Sequence, residues 1–575
     1  MRTSIQVIAL LCLTCLPVAA FADASNVITT SGGMIRVPEG FTIERAAASP
    51  IVQHPMMAGF DGQGRLFIAA SSGKNLRTAD LEKELPNFIR MIEDTDGDGV
   101  FDKSTIFADK MTLPMGALWF RGALYVAAPP SIWRLEDTDN DGVADKREDL
   151  VGKFGYSGNA ASIHGPFLSP SGRLFWCDGR HGHEFRDADG NVISQKRGSG
   201  IFTMRPDGSD ARMFCGGGMD NPVEVDFLAT GEIVGPVNIF YTRPRVDTLV
   251  HWQEGGVYPH QEVSIAEFKR TGDLLPSMTN FGHVAVSGMC RSRSAALGED
   301  YQDNLFTTIF NTGKVMRSTV QRHGGTFRTR EEEFLVSDDP DLHPTDILED
   351  ADGSLLLIDT GGWFRIGCPT SQIEKPEIHG AIYRIRRTGA KPVDDPRGLK
   401  IAFDSLNLQQ LLALLSDERQ AVCEKAVEAL ALRVLPSDDQ AVFKVSNFLS
   451  WPDSTPQTAR IHAIHALSRY PSRFSTHEIL RQTVGTGVGI PLQIAAANVL
   501  AEMGRGDVPL DLELFGGLLA TIKSTKSLAL KRTAARAVGS VLDSVGRQSY
   551  DDARDRSHVD SAVPVLMDTL VAGYS

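Results

Sequence analysis

The sequence predicts an all-β propeller followed by an all-α solenoid, and three observations carry that reading. From about residue 33 to 388, short runs rich in β-branched and aromatic residues alternate with Gly, Asp and Pro turns. An acidic motif recurs inside that stretch at a blade-like interval. Beyond residue 405 the pattern changes to Leu and Ala at helical spacing.

The chain has 575 residues, more than one hydrophobic core usually organises, so at least two domains are expected. It opens with Met1 and Arg2, an apolar stretch from Ile5 to Leu16, and Ala20-Phe21-Ala22 before Asp23. That is a basic start, a short apolar run and a small-x-small cleavage site, so residues 1–22 are expected to be a signal peptide. The apolar run is shorter than the ~20 residues a membrane span needs. The expected location is periplasmic or extracellular, with membrane association left open.

The propeller is expected over residues 33–388. Glycine turns precede strand-like runs at 61–68, 170–176, 230–234 and 351–358, as tight hairpins require. The motif Glu-Asp-Thr-Asp-Gly/Asn-Asp-Gly-Val occurs at 93–100 and again at 136–143, an offset of 43 residues. Blades repeat every 40 to 50 residues or so. The length admits six to eight blades, and six are expected.

A Pro/Asp/Gly-rich linker is expected at 389–404, with HEAT-like helical repeats over 405–575. Their signatures are the Leu/Ala runs at 411–415, 426–431, 461–467, 494–500 and 534–539. His462 and His465 lie in this packing pattern with no third ligand in view, and no metal role is assigned to them.

Charge and cysteine content narrow the function. The chain carries 58 basic against 72 acidic residues, a net charge of −14, and no Lys/Arg run, so nothing marks a nucleic-acid surface. Divalent cations are the more natural partners. After the signal segment five cysteines remain, Cys177, Cys215, Cys290, Cys368 and Cys423, so at least one has no partner within the chain. No CxxCH occurs, and no covalent c-type haem is encoded.

The acidic repeat has the spacing of a calcium loop. Asp94, Asp96, Asp98 and Asp102 take positions 1, 3, 5 and 9, with Gly99 at the sharp turn. Asp137, Asp139, Asp141 and Asp145 repeat the pattern with Gly142, and Glu148 falls at position 12, where the first copy has Thr105. Calcium is therefore expected, more weakly at the first loop, as a brace between strands. A second constellation is polar: His164, the segment Asp178 to His183, and Asn221 with Glu224. Gathered at a propeller's mouth, such residues would supply a proton acceptor, a partner to orient it and a ligand anchor.

The runs at 94–102, 218–226 and 343–363 resemble the membrane-bound dehydrogenase family of planctomycete-type bacteria. That family is similar to the pyrroloquinoline quinone (PQQ) glucose/sorbosone dehydrogenases, and its members often carry HEAT repeats. The resemblance implies His164 as general base on a sugar hydroxyl, Asp178 as its support, and Asn221 as a cofactor or substrate contact. Where the related enzymes present arginines to the quinone, this chain has His343 and Thr345, with Lys314 and Arg317 on a neighbouring strand to compensate. An external electron carrier such as a cytochrome c would complete the reaction.

Three readings follow. The first is an exported sugar or polyol dehydrogenase with a quinone acceptor. The second is a non-catalytic scaffold, with a carbohydrate or peptide at the mouth and a protein partner on the helical repeats. The third, a calcium-dependent lactone or ester hydrolase, needs a metal at the funnel centre.

Overall fold

The computed structural model describes residues 25–545, apart from 158–159, 187–189, 364–373, 438–439, 451–454, 471, 486 and 504–511. Six radial antiparallel sheets form a β-propeller, and helices follow it. Blade 1 runs from the axis outward as Pro55–Phe60, Leu66–Ala70, Asn87–Glu93 and Lys103–Met111. Blade 2 begins at Leu118–Phe120, blade 3 at Ile163–Leu168, and blade 5 at Val286–Arg291. In blade 4 the inner strand is broken into Asn221–Pro222 and Asp226–Phe227. Blade 6 begins at Pro344–Glu349, and its outermost strand is the N-terminal Phe41–Ala47, paired antiparallel with Glu374–Arg387. A strand from the start of the chain thus closes the ring, and Val27–Thr29 and Met34–Arg36 extend blade 5.

Each strand shows one face to the preceding blade and the other to the next, so both faces must be apolar. Leu66–Ala70 is accordingly buried along its whole length. The core is a series of wedges between neighbouring blades. Phe154, Trp176, Phe185 and Phe202 fill the wedge between blades 2 and 3, and Phe175, Phe214, Phe227 and Trp252 the next one.

The inner strands leave one edge of backbone N–H groups without a ladder partner, and buried donors need acceptors. Carboxylates from adjacent blades supply them. Glu224 accepts the Met289 N–H at 2.5 Å, Asp226 that of Arg291 at 2.6 Å, Asp346 that of Ala58 at 2.9 Å, and Glu349 that of Arg293 at 2.8 Å. The Asp-Gly turns work locally in the same way: Asp61 Oδ1 accepts three successive N–H groups at 2.8–2.9 Å, with Gly64 at φ +100°.

The inner strands start at one end of the ring, the mouth, and end at the other, the base, where the turns between first and second strands lie. The helices form a solenoid that follows the base. Lys425 Nζ donates to Gly62 O (3.1 Å) at blade 1, Arg469 Nε to Pro170 O (3.0 Å) at blade 3, and Asn498 Nδ2 to Thr230 O (2.8 Å) at blade 4. These residues belong to helices Gln420–Ala429, Gln457–Arg469 and Ile490–Met503. Glu502 accepts hydrogen bonds from Ser169 and Ser171, and Arg536 pairs with Glu254 at 2.7 Å. One face of the solenoid thus rests on the propeller's own base. Among the described residues no helix is long and apolar enough to cross a membrane. Cys177, Cys215, Cys290 and Cys423 are buried free thiols, and Cys368 lies outside the described residues.

Candidate functional site

The mouth gathers the polar constellation of blades 3 and 4. His164 stands at the start of the blade 3 inner strand, just before a register shift at Gly165 (φ +109°) and Pro166. Gly165 N–H donates to Met115 O at 2.8 Å, and Gly116 approaches Gly165 O so closely that a Cβ would sit 2.3 Å from it. This backbone crossing pins the strand that carries His164.

The His164 ring is 1% exposed, and its Nε2 lies 2.6 Å from Ala160 O. That contact assigns the proton to Nε2 and leaves the Nδ1 lone pair as an acceptor, which has no protein partner. Burial lowers the ring's pKa to about 4, partly offset by the Ala160 carbonyl and the nearby Asn221 side chain, so the ring is neutral at ordinary pH. Asn221 Oδ1 is likewise buried without a donor.

Asp178, expected to support His164, is engaged with a different ring. Its Oδ2 lies 3.0 Å from His183 Nδ1, and His183 Nε2 lies 2.9 Å from Ser194 Oγ. Burial pushes Asp178 up to about 6 against the opposing pull of His183. This Asp-His-Ser chain is closed into the blade, with His183 edge-on to Phe202 at 4.8 Å and Ser194 also against Met213. It ties the hairpin of His183–Arg186 and Val192–Lys196 to the sheet.

Two residues to which the sequence reading gave no role join the mouth. Arg180 Nη1 pairs with Asp220 Oδ1 at 2.8 Å, and Arg180 N–H donates to Asp220 O at 3.0 Å, tying blade 3 to blade 4. Their signal was adjacency, since each sits beside a residue already singled out. His260, next to this pair, holds φ +118°, which costs a non-glycine residue about 1–3 kcal/mol and occurs preferentially at working sites.

The other expected cofactor contacts are not brought to His164. Lys314 and Arg317 stand on the third strand of blade 5, Lys314 paired with Glu333. Arg317 binds Glu332 and Asn304 and covers the Tyr301 ring at 3.8 Å. His343 is buried at the blade 6 side of the mouth, its Nδ1 2.8 Å from Gly361 O. Three carboxylates of PQQ would need unpaired guanidinium or ammonium groups, and these side chains are committed elsewhere. Lys314 and Arg317 therefore do not supply the free cations that cofactor wants.

Beside His343, Asp359 Oδ1 accepts the N–H groups of His343 (2.8 Å) and Gly361 (2.9 Å), and burial pushes its pKa up to about 7. Folded Asp359 keeps a proton that the unfolded chain releases near pH 3.8, so its contribution is full below that pH and is lost as pH rises through about 7. Asp359→Asn keeps both contacts through the amide oxygen. The variant should lose less stability than the parent between pH 4 and 7, as read from melting temperatures across that range.

The acidic loops lie at the base, between the third and fourth strands of blades 1 and 2. In each loop, Asp94, Asp96 and Asp98 or Asp137, Asp139 and Asp141, one oxygen per carboxylate lies within 4.8 Å of the others. Asp102 and Asp145 instead close the turns through the Thr95 and Thr138 N–H groups at 3.1 Å, and Glu148 faces Arg134 at 3.5 Å on its strand. The cage-closing position expected at Glu148 is not part of the cluster. The first loop also abuts Arg386 and gives its Gly99 carbonyl to Arg384 at 3.3 Å.

The Coprinopsis cinerea pyranose dehydrogenase PQQ domain matches 62% of this chain and 97% of its own, at 13% identity and TM-score 0.41. A Trichoderma reesei carbohydrate-active enzyme of family AA12 matches 63% and 100%, at 13% identity and TM-score 0.43. Likenesses this distant say nothing about activity. No curated protein matches the sequence. The family model described as a domain of unknown function, DUF7133, matches residues 28–388, the whole propeller, and the chain belongs to that family.

Proposed function

We propose that the propeller mouth is the working site of an exported sugar- or polyol-directed oxidoreductase, in which His164 takes the proton of a substrate hydroxyl. The observation that carries this reading is the neutral His164 ring, its Nε2–H fixed on Ala160 O and its Nδ1 lone pair free beside Asn221. A buried, oriented lone pair is what a base needs, and a hydroxyl donor is what the orphaned Nδ1 and Asn221 Oδ1 lack. His164 would hold the proton released from the hydroxyl, and a two-electron acceptor of the quinone class, if bound at the mouth, would supply the oxidising chemistry. The resemblance of residues 94–102, 218–226 and 343–363 to quinone dehydrogenases points the same way.

The ion-paired Lys314 and Arg317 favour the second reading, a carbohydrate-binding scaffold without redox chemistry. The two part in a dye-linked oxidation screen of sugars and polyols, combined with thermal unfolding in the presence of each compound and of PQQ. A ligand at 100 times its Kd stabilises by about 2.7 kcal/mol. Dye reduction supports the enzyme, whereas stabilisation by sugars without dye reduction leaves the scaffold. Export belongs to the same proposal, and intact mass of the secreted chain should place its first residue at Asp23.

Calcium is proposed as a structural ion of the acidic loops. The second loop, free of the Arg386 and Arg384 contacts, should bind it more tightly. Asp139→Asn should lower calcium affinity at least tenfold in a calorimetric titration, and Asp96→Asn should change the tighter step little.

A further inference from the structure

We infer that Arg180 reads an anionic group on the ligand of this mouth, so that the site takes an acidic sugar, one bearing a carboxylate or a sulfate, in preference to a neutral one. This deepens, and rests on, the reading of the mouth as a sugar- or polyol-binding site. Arg180 follows Asp178 by two residues, and its partner Asp220 directly precedes Asn221, whose side chain touches His164. Arg180 is thus tied, through Asp220, to the residue that precedes the His164 neighbour Asn221.

It is also held ready. Asp220 is 6% exposed and grips one nitrogen, Nη1, while the Arg180 side chain remains 44% exposed. The backbone contact from Arg180 N–H to Asp220 O fixes the loop from behind. A guanidinium has five N–H donors in a fork that matches a carboxylate or sulfate, and the Asp220 contact uses one side of it. Asp220 lies among Arg180, Arg245 and His260. Arg245 is shared with a second carboxylate, Asp247, at 3.9 Å and donates to Asn238 Oδ1 at 3.3 Å, so Arg180 is the exposed cation of this group. The strained His260 keeps its ring on the same side.

The test uses matched pairs on the full chain: glucose with glucuronate, galactose with galacturonate, and glucose 6-sulfate, each titrated by calorimetry against the parent, Arg180→Gln and Arg180→Lys. The expected result is at least tenfold tighter binding of the acidic member of a pair. Arg180→Gln should bring the acidic sugar down to the affinity of its neutral partner, and Arg180→Lys should retain part of the difference, because the charge stays and the fork is lost. Equal binding of both members, unchanged in Arg180→Gln, overturns the inference and leaves the mouth as a sugar site. Failure of every sugar to bind the folded parent overturns the reading of the mouth as well. PQQ run as a separate arm decides the source of the anion. Tight PQQ binding lost in Arg180→Gln, with sugars indifferent to the substitution, assigns Arg180 to a cofactor carboxylate and overturns the inference.

Discussion

His164→Ala abolishes dye-linked oxidation while leaving the fold intact. General-base catalysis by a positioned side chain contributes about 10²–10⁴-fold, and His164 is the proton acceptor with a free, oriented lone pair at the mouth. The loss should fall on kcat more than on KM, since the neutral ring meets the hydroxyl in ground state and transition state but accepts its proton only in the latter. The pH profile separates this role from a structural one. An ordinary histidine base loses activity below pH 6.5; with burial lowering His164 to about 4, the limb at acid pH should shift to that value and kcat/KM should stay level from pH 6 to 8. Unchanged turnover in His164→Ala would remove the base and, with it, the enzyme reading.

Trp176→Ala destabilises the propeller by about 3–5 kcal/mol, a large share of the 5–15 kcal/mol or so that a folded domain holds. Trp176 is fully buried, stacked on Phe202 with ring centres 5.4 Å apart and edge-on to Phe154 at 6.1 Å. Removal leaves a cavity in the wedge between blades 2 and 3 that the twisted sheets cannot close without moving both. The same strand ends at Asp178, so the substitution also loosens the Asp178–His183 pair behind the mouth. Urea unfolding should show a lower midpoint, with a smaller drop for Trp176→Phe, which keeps the ring contact. A loss under 1 kcal/mol would mean that the wedge collapses and that blade packing is looser than the structure shows.

Local pattern sufficed for the architecture. Apolar strand runs and Asp-Gly turns at a blade interval identify a propeller, because each blade solves the same packing problem with the same short signals. The Leu/Ala spacing after residue 405 likewise identifies stacked helices, whose periodicity is local. The spacing Asp94, Asp96, Asp98 and its copy at 137–141 was also legible, since alternate residues of one tight turn converge whatever surrounds them. His164 and Asn221 could be singled out as polar residues in loops, yet nothing in the sequence says that they meet, for they come from different blades.

Only the tertiary structure decided the partners. Asp178 faces His183 because both lie on the same side of blade 3, whereas His164 turns to Ala160 and Asn221. Lys314 and Arg317 are occupied by the glutamates of the strand beside them, a cross-strand neighbour relation fixed by register. Arg180 and Asp220 meet across two blades, 40 positions apart, and their pairing depends on how the sheets are ordered round the axis. The solenoid's docking on the base depends on shape and on scattered contacts such as Lys425 with Gly62 O. Periodicity records which face of an element is buried; which element it is buried against is a matter of closure over hundreds of residues, and that information exists only in the folded chain.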